Sequence, residues 1–152
     1  MGRCPVIPDR IAEIGHLIRT QDNRITDAPL FIVQEQRRTY GFDPQWANDS
    51  EIAWLDGCND SVEATPEEHA KMEAAWQEDE EEPEGWTRTA YQDTWRFVTA
   101  CFTEAGCNDY IRLNGHNHRG KLRTYAASSY RNEEWRAVRS FLMSGGESAG
   151  AK

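Results

Sequence analysis

Residues 65–68 carry the clearest local folding signal in this chain. Thr65 can cap a helix, Pro66 suits the first helical position, and Glu68 completes a capping box. The helix is predicted to continue through Gln77. Segments with strand patterns lie on both sides of it, at 30–41, 51–56 and 86–93. Strands early and in the middle of the chain, with helices packed over one face, are typical of the α+β class.

Two more segments before residue 116 have a helical period. Residues 9–20 place apolar side chains at helical spacing behind Asp9, which is a possible cap. From Thr94 onwards one predicted helical stripe is formed by Trp95, Val98, Cys101, Phe102 and Ala105. Gly106 is the predicted end of that helix, and a short helical piece is predicted at 107–115.

The C-terminal part of the chain completes the predicted architecture. A last strand is expected at 122–127, and a helix within 128–143 is expected to begin at Ser129 or Asn132. Its predicted buried stripe is Trp135, Val138, Phe141 and Leu142. The fold class is therefore α+β, with an antiparallel sheet and helices packed on one face. Residues 1–144 are expected to form one ligand-binding domain, and 145–152 a flexible tail.

The charge distribution restricts which ligands are plausible. The net charge of −9 divides into −13 for residues 1–107, with 9 Lys/Arg against 22 Asp/Glu, and +4 for residues 108–152, with 8 against 4. A long nucleic acid requires a broad basic surface, which this chain lacks. A small anion requires only a local cationic pocket, and the sequence favours such a pocket.

The acidic run at 78–84 has two interpretations. Six of its seven residues are acidic, which is typical of a solvated hairpin or a disordered loop. The alternative is a protein-binding inhibitor whose acidic run mimics nucleic acid.

The cysteines and the apolar segments bear on the compartment. No apolar signal-peptide region follows Met1, and no run of roughly eighteen apolar residues exists, so we expect a soluble cytoplasmic protein. The thiols are then expected to be reduced and to act as small core residues. They are Cys4, Cys58, Cys101 and Cys107.

The stretch 95–135 concentrates the groups that bind nucleotides. It supplies flat rings, neutral amides and guanidinium groups, among them those of Arg112, Arg119, Arg123 and Arg131. A base, a sugar and a phosphate would each find a partner in this set. Arg131 and Asn132 stand where free N–H groups of the last helix favour anions, and Asn114 could contact a base or a ribose. The alternative is that the rings form core and the arginines a solvated face.

The HNH string at 116–118 raises the question of catalysis. His116 and His118 could hold a metal on an extended segment and support a phosphodiesterase or nuclease, but no third ligand is apparent nearby. The more economical interpretation makes them polar loop residues that line a cleft or contact solvent. No nucleophile elbow and no phosphate-binding glycine loop is present, so the sequence predicts a protein that is not an enzyme and that needs no cofactor.

Three segments resemble a known family. Residues 24–42, 95–118 and 124–143, with the strings FVTACFTEAGC and YAASSYRNEEW, are similar to the first Thoeris anti-defence family of phage proteins. The resemblance implies a protein of the host cytoplasm that binds glycocyclic ADP-ribose tightly without cleaving it. Such a protein deprives the Thoeris effector of its activating signal.

The resemblance also implies partners and site residues. Family members are dimers with signal sites near the interface, some form hexamers, and some bind cyclic oligonucleotides of another immune system. By position in the matching segments, Phe102 would stack on a base, Asn114 would hydrogen-bond the ligand, and Arg131 would contact a phosphate or a second base. Arg37 or Arg38 would complete a site. His116, Arg123 and Asn132 are further candidate ligand-binding residues.

Overall fold

The structure is a computed structural model that describes residues 8–145. Within that range the α+β prediction is confirmed, with five strands that form one antiparallel sheet in the order β3-β2-β4-β1-β5. The elements are α1 (Asp9–Thr20), β1 (Pro29–Phe42), β2 (Ile52–Asp56), β3 (Val62–Glu63), α2 (Pro66–Asp79), β4 (Trp86–Cys101), α3 (Glu104–Asn114), β5 (Leu122–Ser128) and α4 (Glu133–Met143). Short 3-10 turns lie at Pro44–Trp46, Asp49–Glu51 and Gly115–Asn117.

The described chain divides into two compact units. The terminal unit comprises residues 8–36 and 95–145, and the central unit comprises residues 37–94. Residues 37–94 carry 4 Lys/Arg against 16 Asp/Glu, a balance of −12, whereas the rest of the chain carries 13 against 10, a balance of +3. The acidic charge therefore follows the boundary of the central unit rather than a division near residue 107.

The terminal unit has its core between β1 and α3. Phe31 and Val33 of β1 pack with Cys107 of α3, and all three are essentially inaccessible to solvent. On the second side of this unit α1 packs against α4. There the absence of a side chain at Gly15 is required, because a Cβ would come within 2.2 Å of the Leu142 carbonyl oxygen. The approach of the two helices therefore depends on that glycine.

The central unit is built around Trp54 of β2. This side chain is fully buried, its ring meets Trp76 edge-on at 6.2 Å, and its Nε1 donates to Glu73 of α2 at 2.8 Å. Arg88 of β4 donates from two nitrogens to the same carboxylate at 2.8 and 3.1 Å. The Arg88 guanidinium, more than the indole N–H, holds the pKa of Glu73 below its ordinary value. The predicted capping box of α2 is confirmed, with Thr65 as the cap.

The segment 94–106 is where the sequence prediction was wrong. We expected a helix from Thr94 to Gly106, but β4 continues to Cys101 and α3 begins only at Glu104. Aromatic and β-branched residues at 94–99 suit an extended strand, and their spacing matches a helical stripe as well. The N-cap residue of α3 is Thr103, whose hydroxyl accepts a hydrogen bond from the Gly106 N–H at 2.9 Å. Gly106 thus lies in the first turn, and α3 runs unbroken to Asn114.

The last helix was predicted correctly in position but only partly in orientation. Asn132 caps α4, and Leu142 is buried as expected. Val138 and Phe141, which we expected to be buried, are about half exposed. Arg139 lies buried on the inner face instead.

The cysteines differ from each other in burial. Cys107 is fully buried and Cys101 partly buried, as expected, but Cys58 is exposed, so its assignment to the core was wrong. Burial raises the pKa of the Cys107 thiol to about 12, and Cys101 contributes to that rise. Cys4 and the predicted tail beyond residue 145 lie outside the described residues. None of the helices in the described range is long and apolar enough to cross a membrane.

Candidate functional site

The best-defined cationic group of the terminal unit is Arg123 on β5. Its guanidinium carbon lies 3.8 Å from the centre of the Trp95 ring and 5.3 Å from that of Tyr125. Its Nε donates to the side-chain oxygen of Gln34 at 2.8 Å, and Gln34 is the residue opposite Arg123 in the β1–β5 ladder. Strand alternation turns Arg123 and Tyr125 away from the core face occupied by Val33. Gln34 on β1 and the Trp95 ring on β4 thus position the Arg123 guanidinium.

The surroundings of Arg123 leave its outer nitrogens unpaired. Within residues 8–145 no carboxylate lies within ion-pair distance of it, and its only side-chain hydrogen bond is the one from Nε. Neighbouring rings are accessible, with Tyr125 47% exposed and Phe97 59% exposed. Phe97 follows Trp95 by two residues on β4 and therefore shares its face. A forked cation beside accessible rings can bind a phosphate and a base together.

A second cationic group stands before α4. Arg131 adopts a left-handed backbone conformation, with φ at 61°, which costs a residue other than glycine about 1–3 kcal/mol. Its guanidinium carbon lies 5.1 Å from the centre of the exposed Tyr130 ring, and no acidic residue of the described chain pairs with it. The Asn132 side chain accepts from the Trp135 N–H at 3.1 Å. The side-chain oxygen of Asn132 is therefore engaged in capping, and Arg131 is the accessible donor.

Phe102 lies near the same end of α4. Its ring stacks flat on Trp135, with centroids 4.0 Å apart and planes 9° from parallel. One face of Phe102 is therefore covered, and a base could use only the other. The Nε1 of Trp135 is buried and finds no hydrogen-bond acceptor in the described range. The Gln21 side-chain amide fixes the backbone around Phe102: its nitrogen donates to the Phe102 carbonyl at 3.2 Å, and its oxygen accepts from the Glu104 N–H at 3.0 Å.

Asn114 lies at the opposite end of α3 from Phe102. The helix places the two ends about 15 Å apart along its axis. The Asn114 amide donates to the Tyr110 carbonyl at 3.1 Å, one turn back, and terminates the helix. In the part of the chain described, no hydrogen bond or ring contact links it to Phe102 or Arg131. Within one protomer, Phe102 therefore lies near the start of α4, whereas Asn114 lies at the far end of α3.

The two histidines of the HNH string occupy different environments. His116 is exposed in a 3-10 turn. His118 lies between Glu35, 3.2 Å from its Nδ1, and the Tyr110 hydroxyl, 3.3 Å from its Nε2. Glu35 is 7% exposed and also accepts from the Gly120 N–H at 3.1 Å. Both ring nitrogens of His118 are thus engaged, and no group of three or more His, Cys, Asp or Glu within 8–145 is arranged to hold a metal.

Glu35 and Gln34 were not among the site residues predicted from the sequence. Glu35 follows Phe31 and Val33 on the buried face of β1, and a carboxylate at that register position requires donors. Strand alternation was the signal that could have identified it. Gln34 could not be identified in this way, because its role depends on the pairing of β1 with β5.

In the central unit, Arg38 is neutralised by two carboxylates. It donates to Asp93 at 2.8 and 2.9 Å and to Glu63 at 2.8 and 2.9 Å, and its guanidinium carbon lies 3.7 Å from the centre of the Tyr91 ring. The hydrogen bond with Asp93 is the main cause of the raised pKa of Arg38, and Arg38 in turn lowers the pKa of Asp93. Its neighbour Arg37 is exposed, on the opposite face of the strand.

Comparison of the chain with protein-family models, with curated proteins and with solved structures gives no match. Several arginines of the terminal unit have no acidic partner among the described residues, and two of them, Arg123 and Arg131, also lie against aromatic rings.

Proposed function

We propose that this protein binds and sequesters a cyclic nucleotide immune signal without cleaving it. The proposed ligand is glycocyclic ADP-ribose, with cyclic oligonucleotides as further ligands, as the resemblance to the Thoeris anti-defence family implies. The protein would act in the host cytoplasm as a phage anti-defence protein, lowering the free signal below the concentration that the Thoeris effector requires. The observation that carries the proposal is the unpaired Arg123 guanidinium held between Trp95 and Tyr125.

Charge supports the terminal unit as the place where an anion binds. The chain carries −9 in all, yet outside residues 37–94 the balance is +3. An unpaired arginine in so acidic a protein attracts phosphate locally. Because the Nε of Arg123 is held by Gln34, its outer nitrogens are oriented for a bidentate contact with phosphate.

The expected affinity is consistent with these groups. A protein that sequesters a signal needs nanomolar binding, about −12 kcal/mol. Stacking of a base contributes about 1–3 kcal/mol, and a hydrogen bond to a charged group about 1.5–3 kcal/mol. Two protein rings on the adenine and two charged contacts to phosphate sum to about 5–12 kcal/mol, so the upper end of that range reaches the total, provided that the rigid cyclic ligand loses little conformational entropy on binding. No catalytic group is required.

The separation of Asn114 from Phe102 bears on assembly. If both contact one ligand, as the resemblance implies, they must come from different protomers, because α3 keeps them about 15 Å apart within one chain. The proposal therefore includes a homodimer or hexamer with the signal bound near the interface between subunits.

A titration with matched arginine variants tests the proposal. We expect glycocyclic ADP-ribose to bind the wild type with nanomolar affinity in isothermal titration calorimetry. Arg123→Gln and Arg131→Ala should each weaken binding by at least about tenfold, since each removes one charged contact. Arg112→Gln is the control, because Arg112 is exposed and its one ion pair among residues 8–145 is with Asp109 on its own helix. Unchanged binding in both test variants would refute the assignment of the site.

A further inference from the structure

The central unit contains a cleft that the proposed function does not use. It has a volume of about 440 Å³, within the range of small-molecule sites. Three aromatic side chains line it, those of Phe42, Trp46 and Tyr91, together with the carboxylate-bearing residues Asp43 and Glu51. Trp46 is 83% exposed and Phe42 is 46% exposed. Large rings so accessible to water are typical of a surface that binds something.

The backbone turn that carries Trp46 is held in place by hydrogen bonds of its own. Asp43 caps the Pro44–Trp46 turn by accepting from the Gln45 N–H at 2.9 Å, and the Trp46 N–H donates to the Asp43 carbonyl at 3.2 Å. This short turn presents the Trp46 ring outwards. A preformed site loses less entropy on binding than one that must be ordered.

Tyr91 of β4, which also lines the cleft, is hydrogen-bonded to the segment 42–51 that carries Trp46. The Tyr91 hydroxyl donates to the Ser50 carbonyl at 2.7 Å, which fixes the residue before Glu51 against β4. At the start of the loop Gly41 has φ at 99°, a conformation that favours glycine, and its N–H donates to the Thr89 hydroxyl at 2.9 Å. Both ends of the 42–51 segment are therefore anchored to β4.

The charge of the cleft selects the kind of ligand. Two carboxylate-bearing residues line it, no lysine or arginine is among its described lining residues, and residues 37–94 carry −12. A phosphate or a nucleotide would be repelled there. A cation would be attracted by the carboxylates and by the ring faces, which carry the negative part of the aromatic quadrupole. Arg38 already stacks on one face of Tyr91, so a ligand could use only the other face of that ring.

We propose that the Phe42–Trp46–Tyr91 cleft, with Asp43 and Glu51, binds a small organic cation with an alkylated ammonium head. Rings arranged around carboxylates recognise such a head by cation–π attraction and charge. The site is independent of the proposed nucleotide site, because every residue that forms it belongs to the central unit.

Choline and its neutral isostere, 3,3-dimethylbutan-1-ol, distinguish this site from a merely apolar cleft. Titration of the full chain, followed by NMR line positions, should show binding of choline and of tetramethylammonium. The neutral alcohol should bind at least about tenfold more weakly, because it lacks the charge. Equal binding of choline and the alcohol would overturn the proposal. So would binding of adenosine without binding of either cation, or no binding of any of them.

Exposed side chains allow variants that should leave the fold intact. Trp46→Ala should weaken choline binding at least about fivefold through loss of one ring face. The pair Asp43→Asn with Glu51→Gln should weaken it similarly, and asparagine retains the capping acceptor of the Pro44–Trp46 turn. Phe141→Ala is the control, a half-exposed ring on α4 outside the cleft. Full choline affinity in either test variant would contradict the assignment.

Discussion

Replacement of Arg139 by methionine is expected to stabilise the protein. Arg139 is only 7% exposed, and no carboxylate of the described chain pairs with it. Its Nε has no hydrogen-bond partner among residues 8–145. Burial is the main reason that the pKa of this guanidinium lies below its ordinary value. Arginine remains charged when buried, so the protein bears the cost of a desolvated cation.

The magnitude follows from the contacts that are lost and the penalty that is removed. A buried donor without a partner costs about 1–3 kcal/mol. Against this, methionine would forfeit the Nη2 hydrogen bond to Asn23, which is long at 3.3 Å and contributes about 0.5–1.5 kcal/mol. It would also forfeit the Nη1 contact with the Met143 sulfur at 3.3 Å, which is weaker because a thioether is a poor acceptor. The unbranched methionine chain retains most of the packing of the arginine stem. We therefore expect a net stabilisation of about 1–2 kcal/mol.

Urea denaturation and thermal unfolding would measure this change. For a chain of this length, 1 kcal/mol corresponds to about 2–4 °C in Tm, so Arg139→Met should raise Tm by about 2–8 °C. Arg136→Met is the matched control on the same helix, because Arg136 makes a solvent-exposed pair with Asp27 and should change stability by less than about 0.5 kcal/mol. A loss of 1 kcal/mol or more in Arg139→Met would show that the buried guanidinium is compensated and would refute this reasoning.

Three further predictions concern the rest of the fold. Glu73→Gln should destabilise the protein by about 2 kcal/mol at pH 7, since it breaks a partly buried charged hydrogen bond with Arg88. The pKa of Glu73 in the folded protein lies below its ordinary value of 4.5, so the stabilisation by this carboxylate is fully present above pH 4.5. It is lost as the pH falls through the folded-state pKa, and the urea midpoints of variant and wild type should therefore converge in acid. Cys58 should react with a thiol reagent at neutral pH much faster than Cys107, because the Cys107 thiol is buried and its pKa is raised to about 12. Equal rates for the two cysteines, measured by peptide mass spectrometry, would contradict this difference in burial. Gly15→Ala should destabilise by at least about 2 kcal/mol in the same denaturation assay, because its Cβ would overlap a main-chain carbonyl of α4; an unchanged midpoint would show that α1 and α4 separate at little cost.

Local chemistry made part of this fold predictable from the sequence. The capping box at Thr65 and the cap at Asn132 are satisfied by hydrogen bonds within three residues, so the signal and the structure coincide. The β-branched run of β1 was similarly informative.

Segments whose conformation depends on distant partners could not be predicted in the same way. Residues 94–101 fit both a helical stripe and a strand, and their pairing within the sheet decides for the strand. Arg139 took an inner position that a hydrophobic stripe predicts for Val138 or Phe141, because the packing of α4 against α1 sets its rotation.

The candidate site was predictable in its residue types but not in its grouping. Arg123 and Arg131 were chosen for their chemistry, and the structure gives each an adjacent ring and no acidic partner in the described chain. The contacts of Arg123 with Trp95 and Gln34 depend on strand register, which sequence spacing does not specify.

Recovery of the bound signal tests the central claim most directly. The purified protein would be saturated with glycocyclic ADP-ribose, freed of excess ligand by gel filtration, and heated to release what it holds, with the Arg123→Gln variant treated in parallel. Sequestration predicts that mass spectrometry finds unchanged glycocyclic ADP-ribose in near-stoichiometric amount from the wild type and much less from the variant. A hydrolysis product in place of the intact cyclic molecule, or equal recovery from both proteins, would contradict the account.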